Sequence, residues 1–310
     1  MKHRVPLLAH LALLLCVATT AAEAKTYAVY YLGGQSNMDG FGSVSELPDD
    51  LDDPVDGVYI FHGNTGKDAE AVDGIGTWAV LRPGHGVSFT SDGESAHYSD
   101  RFGVEITFAR RLQELNPKAN IAIIKYSRSG TSIDLRSPSA QRFGAWDPDY
   151  EGGAADGQGI NQYDHFLATL RNAFSDPDID DDGEIDVLIP AGIVWMQGES
   201  DASPEPVAEA YAQNLRRLMN LIRAALRQDD LPVVIGRISD SMKDGHPVWE
   251  FGDTVRAAQA EFCEQDGHAA LVTSTDDYAY SDPWHYDTQG YIDLGRQFAD
   301  AMHQLETGAP

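Results

Sequence analysis

The sequence predicts an α/β protein in which a mostly parallel five-stranded sheet lies between two layers of helices. Short β-branched and aromatic segments alternate with segments of helical periodicity, which is typical of parallel βαβ units. The strand segments are almost continuously apolar, as expected for strands that helices cover on both faces. Because no internal repeat and no Pro/Ser-rich linker divides the chain, we expect one domain over residues 25–310.

Five segments have the composition of buried strands, and five have helical periodicity. The predicted strands cover residues 27–32, 121–126, 187–195, 233–238 and 270–273. The predicted helices cover residues 103–115, 163–174, 207–227, 255–265 and 289–305. In the helix 207–227, Tyr211, Leu215, Leu218 and Ile222 recur every three or four residues, which predicts that one face packs on the sheet.

Two long segments interrupt this alternation. Residues 40–101 are rich in Gly, Asp, Ser and Pro, and residues 137–161 are rich in Gly and Asp. Neither segment keeps a sustained period. Long loops in a compact domain usually carry function, so we expect these two insertions to shape a ligand pocket.

The first 24 residues have the pattern of a cleaved export signal. Lys2 and Arg4 precede an apolar run over residues 7–17 that is too short to span a bilayer. Small residues follow, and Ala22-Glu23-Ala24 has the A-x-A pattern of a cleavage site. We therefore expect a signal peptide over residues 1–24, cleavage after Ala24 and a secreted or periplasmic protein.

The charge balance restricts the partners of the chain. It has 49 acidic and 22 basic residues, for a formal net charge of −27. A nucleic-acid binder needs a basic surface for the phosphates, and anionic membranes likewise attract basic segments. Neither a nucleic acid nor a membrane is therefore expected as a partner.

Four polar blocks lie just after predicted strands, at the edge where parallel α/β sheets bind ligands. They are Gly33-Gly34-Gln35-Ser36-Asn37-Met38, Ser127-Arg128-Ser129-Gly130-Thr131-Ser132, Trp195-Met196-Gln197-Gly198-Glu199-Ser200-Asp201 and Asp282-Pro283-Trp284-His285. A serine at a strand-to-helix turn is presented for attack, and its own N–H can stabilise an oxyanion. A glycine N–H and a glutamine side chain can donate further hydrogen bonds to that oxygen.

Each block also has an ordinary structural interpretation. A Gly-Gly-x-Ser segment is often only a turn, and a histidine in a loop is usually solvated. Ser200, Asp201 or Ser203 would suit the N-cap of the helix that follows. His246 is a second candidate base, but it follows the fourth strand, and we rank it below His285. An acid three residues before His285 can hold its ring in one tautomer, as a general base requires.

Taken together, the four blocks resemble the SGNH hydrolase superfamily. The matching motifs are Gly34-Gln35-Ser36-Asn37-Met38, Gly130-Thr131-Ser132-Ile133, Trp195-x-Gln197-Gly198-Glu199-x-Asp201 and Asp282-x-x-His285. They are most similar to the sialate O-acetylesterase-like and acetylxylan esterase branch, carbohydrate esterase family six, as is Phe102-Gly103-x-Glu105. The resemblance covers nearly the whole mature chain and implies the SGNH hydrolase fold, a flavodoxin-like three-layer α/β/α sandwich.

The resemblance also implies a role for each motif residue. These roles are nucleophile for Ser36, general base for His285, orienting acid for Asp282, and oxyanion donors for the N–H groups of Ser36 and Gly130 and the side chain of Gln197. Glu199 matches a glutamate that in this branch shares or takes over the role of the acid, and we rank Asp282 first and take Glu199 as a helper acid. Gln197 stands where the wider superfamily has an asparagine.

The reaction implied by the resemblance is the hydrolysis of acetyl esters on carbohydrate. Ser36 would attack the acetyl carbonyl, and water would hydrolyse the acetyl-Ser36 intermediate, so catalysis needs no cofactor. Acetylxylan, O-acetyl sialic acid and related acetylated glycans are all candidate substrates.

Two other functions are alternatives to this one. The first is a carbohydrate-binding protein on a degenerate esterase fold, with Trp78, Trp146, Trp249 or Trp284 stacking on sugar rings. The second is a lipase or thioesterase of the same superfamily. An intact set of Ser36, His285 and Asp282 disfavours the first, and the lack of a long apolar lid segment disfavours the second.

An acidic segment before the third strand resembles a calcium-binding loop. Counted from Asp178, acids fall at positions 1, 3, 5 and 9 and a glycine at position 6, as in the EF-hand type of loop. The bidentate glutamate of position 12 is missing, because Ile189 stands there. We expect one structural Ca²⁺, with side-chain ligands from Asp178, Asp180, Asp182 and Asp186 and the backbone carbonyl of Glu184. The alternative is a solvated acidic loop.

Overall fold

The computed structural model describes residues 23–65, 72–152 and 159–308. Within this part of the chain, seven strands form the central sheet. In spatial order they are β13 (Ala269–Val272), β12 (Val233–Gly236), β11 (Val187–Met196), β1 (Thr26–Gly34), β8 (Asn120–Ser127), β3 (Val58–His62) and β4 (Trp78–Val80). All neighbours are parallel except β3 and β4, which are antiparallel.

The predicted α/β class with a mostly parallel sheet is confirmed, and the sheet has two strands more than the five predicted. Both extra strands, β3 and β4, come from the segment 40–101, whose composition predicts a loop. Their apolar runs are only five and three residues long and are surrounded by Gly, Asp and Pro, so no period stands out. This insertion therefore extends one edge of the sheet.

The remaining short strands form three separate pairs. These are β2 (Gly42–Ser43) with β7 (Arg101–Phe102), β5 (Thr90–Ser91) with β6 (Ala96–His97), and β9 (Gly144–Ala145) with β10 (Ile160–Asn161). They organise parts of both predicted loops. Residues 66–71 and 153–158, which also belong to these two loops, lie outside the described residues.

The helices are α1 (Ser36–Asp39), α2 (Glu105–Leu115), α3 (Pro138–Phe143), α4 (Gln162–Ser175), α5 (Glu205–Ala225), α6 (Gly252–Gln265) and α7 (Thr288–Thr307). The five long helices begin and end within three residues of their predicted bounds. Helix α7 packs closely on α2, because Gly295 carries no side chain. A Cβ at that position would lie 2.1 Å from Thr107 Oγ1 and 2.4 Å from the carbonyl oxygen of Val104.

The core lies on both faces of the central strands. Leu32, Ile123 and Val194, on β1, β8 and β11, have no exposed surface, as expected for strands in the middle of a covered sheet. In helix α5, Tyr211, Leu215 and Ile222 are fully buried, which confirms the predicted apolar face.

The middle of the sheet also buries a charged pair. Lys125 and Glu105 have no exposed side-chain surface, and Lys125 Nζ lies 2.8 Å from Glu105 Oε2. The same ammonium donates to the carbonyl oxygens of Asp39, at 3.0 Å, and His85, at 2.8 Å. All three N–H donors of Lys125 are therefore used, which offsets much of the cost of removing the charge from water.

Two buried histidines lie beside this pair. The Nδ1 atoms of His62 and His85 are 3.3 Å apart. Burial lowers the pKa of both imidazoles well below the ordinary value, and the positive charge of Lys125 lowers the pKa further. Both rings are therefore neutral in the folded protein at neutral pH.

We expect this neutral pair to make the fold sensitive to acid. Below about pH 6.5 the unfolded chain takes up protons on these histidines but the folded chain does not. The free energy of unfolding should then fall with decreasing pH, by up to about 1.4 kcal/mol per pH unit for each histidine. In urea unfolding at pH 5, 6 and 7, His85→Phe should flatten this dependence, while the exposed His246→Phe should leave it as in wild type. An unchanged slope in His85→Phe would refute this explanation.

The predicted signal peptide falls almost wholly on residues 1–22, which lie outside the described residues. Glu23 and Ala24 are exposed, and β1 begins at Thr26, directly after the expected cleavage position. Among the described residues, no helix has the length and apolar character needed to cross a membrane.

Candidate active site

Three of the four polar blocks come together because their strands are neighbours. Gly34 at the end of β1 pairs with Met196 of β11 on one side and with Ser127 of β8 on the other. The segments beginning at Gln35, Arg128 and Gln197 therefore leave the same carboxyl edge of the sheet side by side. The fourth block is held at this edge by a hydrogen bond from Asn37 Nδ2 to the carbonyl oxygen of Trp284.

Ser36 lies at a tight turn from β1 into α1. Gly34 has a φ of 147°, and a Cβ there would lie 2.0 Å from the carbonyl oxygen of Met196, so the turn requires glycine. Gln35 N donates to the same carbonyl at 2.9 Å. Ser36 is the first residue of the four-residue helix α1 and is 6% exposed. Its backbone N–H makes no hydrogen bond with any described residue, which leaves this donor available to a ligand.

His285 is held by Asp282, as a general base requires. His285 Nδ1 lies 2.7 Å from Asp282 Oδ2, while Asp282 Oδ1 accepts the backbone N–H groups of Trp284, at 2.8 Å, and His285, at 2.9 Å. Burial opposes ionisation of Asp282, but these three donors outweigh it and lower the pKa of the carboxyl below its usual value. With Asp282 ionised, the proton of the ring belongs on Nδ1, and Nε2 keeps its lone pair.

Phe41 fixes the ring of His285 from one face. The two rings are stacked, with centroids 3.6 Å apart and an angle of 5° between their planes. Phe41 follows the Ser36 helix by two residues, so the same segment that presents the serine also orients the imidazole. This contact was not predicted from the sequence.

Asn37 joins the serine turn to the histidine loop. Its Nδ2 donates to Glu199 Oε1, at 2.8 Å, and to the carbonyl oxygen of Trp284, at 3.2 Å. Its Oδ1 accepts the hydroxyl of Tyr291 at 2.8 Å. The residue after the serine is thus bonded to the residue before the histidine. The only sign of this role in the sequence is the place of Asn37 in the Gly-Gln-Ser-Asn-Met motif.

Glu199 is buried behind this junction. Its Oε1 accepts Asn37, while its Oε2 has no hydrogen-bond partner among the described residues. Burial raises the pKa of Glu199, and the hydrogen bond from Asn37 only partly opposes this. Glu199 therefore contacts the serine turn, and the acid on His285 Nδ1 is Asp282. Any help from Glu199 acts through Asn37 in this arrangement.

Gly130 provides a second open backbone donor. It has a φ of 77°, and a Cβ there would lie 2.6 Å from the ring of Phe143. Its N–H makes no hydrogen bond with the described residues. Asp39 holds the preceding segment, because its carboxylate accepts the hydroxyls of Ser127, at 2.5 Å, and Ser129, at 2.6 Å. The structure thus leaves the N–H groups of Ser36 and Gly130 open, as an oxyanion hole requires.

The side chain of Gln197 is occupied within the protein. It is fully buried, and its Nε2 lies 2.6 Å from Asp201 Oδ2, 3.2 Å from the carbonyl oxygen of Thr131 and 3.3 Å from Gln35 Oε1. Two N–H bonds thus face three acceptors. Gln197 ties together the segments after β1, β8 and β11, and its role as a third oxyanion donor stays a prediction.

Asp201 was expected as one candidate N-cap, and that interpretation is wrong. The residue at the N-cap of α5 is Pro204, with no side-chain cap, while residues 199–201 form a short 3-10 turn. Asp201 instead accepts the backbone N–H groups of Ile133 and Asp134, both at 2.9 Å. Burial raises its pKa to about 7, although these donors oppose the shift. It anchors the loop that follows Gly130.

The sequence of the chain matches one known family. The match extends over residues 26–304, and the family is described as carbohydrate esterase, sialic acid-specific acetylesterase. The chain belongs to this family. The resemblance to the sialate O-acetylesterase-like branch, and the expectation of a carboxylic ester hydrolase, are thereby confirmed. No curated protein matches the sequence of this esterase.

Solved structures share the fold of the esterase at low sequence identity. A protein from Arabidopsis thaliana is 18% identical, with a TM-score of 0.62, and the match covers 90% of this chain and 98% of that one. A carbohydrate acetylesterase from Xanthomonas citri is 17% identical, with a TM-score of 0.60 over 91% of this chain and 57% of that one. The protein NanS is 15% identical, with a TM-score of 0.59 over 91% of this chain and 98% of that one.

The second candidate base of the esterase does not join this arrangement. His246 is exposed, and its described hydrogen bond runs from its backbone N–H to the carbonyl oxygen of Lys243. Of the four tryptophans considered for sugar binding, Trp146 is fully buried, Trp78 and Trp249 are partly buried, and Trp284 is 48% exposed beside His285.

The acidic loop of the esterase brings three of its expected calcium ligands together. Carboxylate oxygens of Asp178, Asp180 and Asp186 all lie within 4.8 Å of one another. Lys25 enters the same cluster, because its Nζ contacts Asp180 and lies 2.6 Å from Asp182 Oδ2. Its backbone N donates to Asp186 Oδ1 at 2.9 Å. The side chain of Glu184 is exposed, and Asp182 turns towards Lys25.

Proposed function

We propose that this esterase removes O-acetyl groups from carbohydrate through an acetyl-Ser36 intermediate, after export and cleavage behind Ala24. The observation that carries the proposal is the hydrogen bond of 2.7 Å between His285 Nδ1 and Asp282. It leaves Nε2 as the basic atom of a loop that Asn37 ties to the serine turn. A protein that only binds sugar has no need of this arrangement.

The proposed chemistry follows from the roles of these groups. His285 Nε2 takes the proton of Ser36 Oγ while the oxygen attacks the acetyl carbonyl. The N–H groups of Ser36 and Gly130 stabilise the resulting oxyanion, each contributing about 3 kcal/mol when well placed. His285 then gives its proton to the sugar oxygen, which leaves, and Asp282 stabilises the imidazolium in between. Water, activated by the same histidine, releases acetate from Ser36.

The test combines product analysis with covalent labelling. The purified mature chain is incubated with O-acetyl sialic acid, acetylxylan and other acetylated sugars, and released acetate is measured. A fluorophosphonate that reacts with activated serines should block the release and add its mass to the peptide that contains Ser36. Acetate release that survives complete labelling, or labelling of a different serine, would refute the proposal. We expect O-acetyl sialic acid to be a substrate, as the description of the family indicates.

We also propose that the acidic loop holds one structural Ca²⁺. Asp178, Asp180 and Asp186 would be its side-chain ligands, because their oxygens lie within 4.8 Å of one another and hard oxygen ligands suit this cation. One observation supports the fit: Asp180 Oδ1 is buried and has no hydrogen-bond partner among the described residues. The ammonium of Lys25 neutralises the same carboxylates, so Ca²⁺ and Lys25 would compete.

We expect calcium to raise the melting temperature of the mature chain. At a concentration of 100 times Kd, binding adds about 2.7 kcal/mol to the free energy of unfolding, which corresponds to about 5–10 °C. Asp180→Asn should abolish this rise, whereas Asp229→Asn, in an exposed loop, should preserve it. Lys25→Met should increase calcium affinity because it removes the side-chain ammonium that contacts Asp180 and Asp182, although the amino terminus of the mature chain stays beside Asp186. An identical melting curve with calcium and with EGTA would refute the site.

A further inference from the structure

Trp284 combines exposure with a position beside the catalytic base. Its side chain is 48% exposed, so a large apolar ring surface next to His285 is accessible to a ligand. The other four tryptophans are more buried. Trp146 and Trp195 have no exposed surface, Trp78 Nε1 donates to the carbonyl oxygen of Ala173, and Trp249 packs against the core.

The backbone of Trp284 is held on both sides. Its N–H donates to Asp282 Oδ1 at 2.8 Å, and its carbonyl oxygen accepts Asn37 Nδ2 at 3.2 Å. Both partners belong to the catalytic arrangement. The indole is therefore carried by a segment whose position is set together with that of His285, so little backbone entropy is lost when it receives a ligand.

The indole ring of Trp284 lies beside His285 but is not parallel to it. The centroids of the Trp284 and His285 rings are 6.5 Å apart, and the planes meet at 63°. His285 therefore does not cover the indole face by parallel stacking. One face of the His285 ring is stacked on Phe41.

The proposed reaction places the sugar close to this face. The alcohol oxygen that leaves must come within about 3 Å of His285 Nε2 to receive its proton. The carbons of the sugar ring then lie next to the imidazole, close to the exposed indole of Trp284. A pyranose has an apolar face of C–H groups, which packs favourably against an aromatic ring, and the contact needs no charge.

We propose that the indole of Trp284 is the platform on which the pyranose ring of the substrate stacks, and that it makes the esterase selective for sugar acetates. This inference rests on the proposed function. The acetyl group is recognised by Ser36 and Gly130, whereas Trp284 recognises the alcohol part of the ester. Its loss should therefore affect sugar esters and spare esters of small alcohols.

The experiment compares Trp284→Ala with wild type on two substrates. One is the best sugar acetate of the panel, and the other is ethyl acetate, followed by pH-stat titration. Ethyl acetate is preferred to p-nitrophenyl acetate, because a nitrophenyl ring would itself stack on the indole. We expect kcat/KM to fall at least tenfold on the sugar acetate and to stay within twofold on ethyl acetate. Trp284→Phe, which keeps an aromatic face, should retain most of the activity on the sugar.

A matched control removes a similarly exposed apolar side chain elsewhere. Ile189 is 49% exposed and lies in the amino-terminal half of β11, away from the carboxyl edge of the sheet. Ile189→Ala should leave both rates unchanged. Equal losses on both substrates in Trp284→Ala would mean that the ring only supports His285 and would overturn the inference, as would undiminished activity on the sugar. Wild-type activity on ethyl acetate but on no sugar acetate would instead refute the proposed function, and the platform with it.

Discussion

We expect Ser36→Ala to lower kcat/KM for acetyl esters by at least about 10⁴-fold, because loss of the proposed nucleophile leaves only binding and the proposed oxyanion donors to act on the ester. The fold should persist, since no described hydrogen bond is made by the Ser36 hydroxyl. Initial rates on an acetylated sugar and on ethyl acetate measure the effect, and thermal melting checks the fold.

The matched control is Ser175→Ala, the same chemical change at the exposed end of α4. It should leave both rates as in wild type. A Ser36→Ala protein that keeps more than about a hundredth of wild-type activity would show that another group is the nucleophile. A contaminating serine esterase would itself react with the fluorophosphonate, so absence of label in the Ser36→Ala sample excludes it.

The same assay separates the two acids. Asp282→Asn should lower kcat/KM by about 10⁴-fold, because an amide beside Nδ1 favours the wrong tautomer of His285. Glu199→Gln should have a much smaller effect, because a glutamine Oε1 can still accept the hydrogen bond from Asn37. If the two substitutions were equally damaging, Glu199 would share the role of Asp282 directly instead of acting through Asn37.

The order of strands and helices could be predicted because each long element carries its own period. Helix α5 shows this best, since its buried face is visible as Tyr211, Leu215 and Ile222 in the sequence. The strands β3 and β4 could not be predicted, because their stability comes from pairing with β8 and not from their own short apolar runs. Tertiary pairing decides such short strands.

The candidate site was predictable where its residues lie close in sequence. Asp282 and His285 are three residues apart and meet within one turn, so their pairing could be expected from spacing. Contacts between distant segments could not be expected in this way. The stacking of Phe41 on His285 and the bonds of Asn37 to Glu199 and Trp284 join residues more than 160 positions apart.

Gln197 shows the limit of arguing from residue type. A glutamine at the sheet edge can donate to an oxyanion, but the same amide can equally bond to a buried carboxylate. The structure places Asp201 2.6 Å from it. Which acceptor takes the N–H depends on where Asp201 folds back, and the sequence pattern holds no information on that.

The largest effect on stability is expected from the buried pair of Lys125 and Glu105. Lys125→Met removes the cation and leaves the carboxylate of Glu105 in the protein interior, where an unpaired charge is strongly unfavourable. The carbonyl oxygens of Asp39 and His85 lose a donor as well. We expect the free energy of unfolding to fall by about 3–5 kcal/mol and the melting temperature by about 10 °C or more.

Two variants show whether burial is the cause. Arg111→Met breaks exposed ion pairs, since Arg111 is more than a third exposed and lies 2.7 Å from Asp300 and 2.9 Å from Glu114, and the loss should stay below about 1 kcal/mol. In Lys125→Met combined with Glu105→Leu, the uncompensated charge is gone, so part of the stability should return. Recovery should be incomplete, because Gly103 N then loses its acceptor, Glu105 Oε1.

Lys125→Met should also lower the activity of the esterase. Lys125 contacts Asp39 at the end of the serine helix, and its positive charge opposes the rise in the pKa of Asp39 that burial causes. Without that charge the pKa of Asp39 rises further, and a protonated Asp39 holds Ser127 and Ser129 less firmly beside Gly130. Lys125→Met should therefore lose activity progressively as the pH is lowered below neutrality, at temperatures where it is still folded. If the activity of Lys125→Met relative to wild type is the same at every pH, Lys125 stabilises the fold but does not affect the segment that holds Gly130.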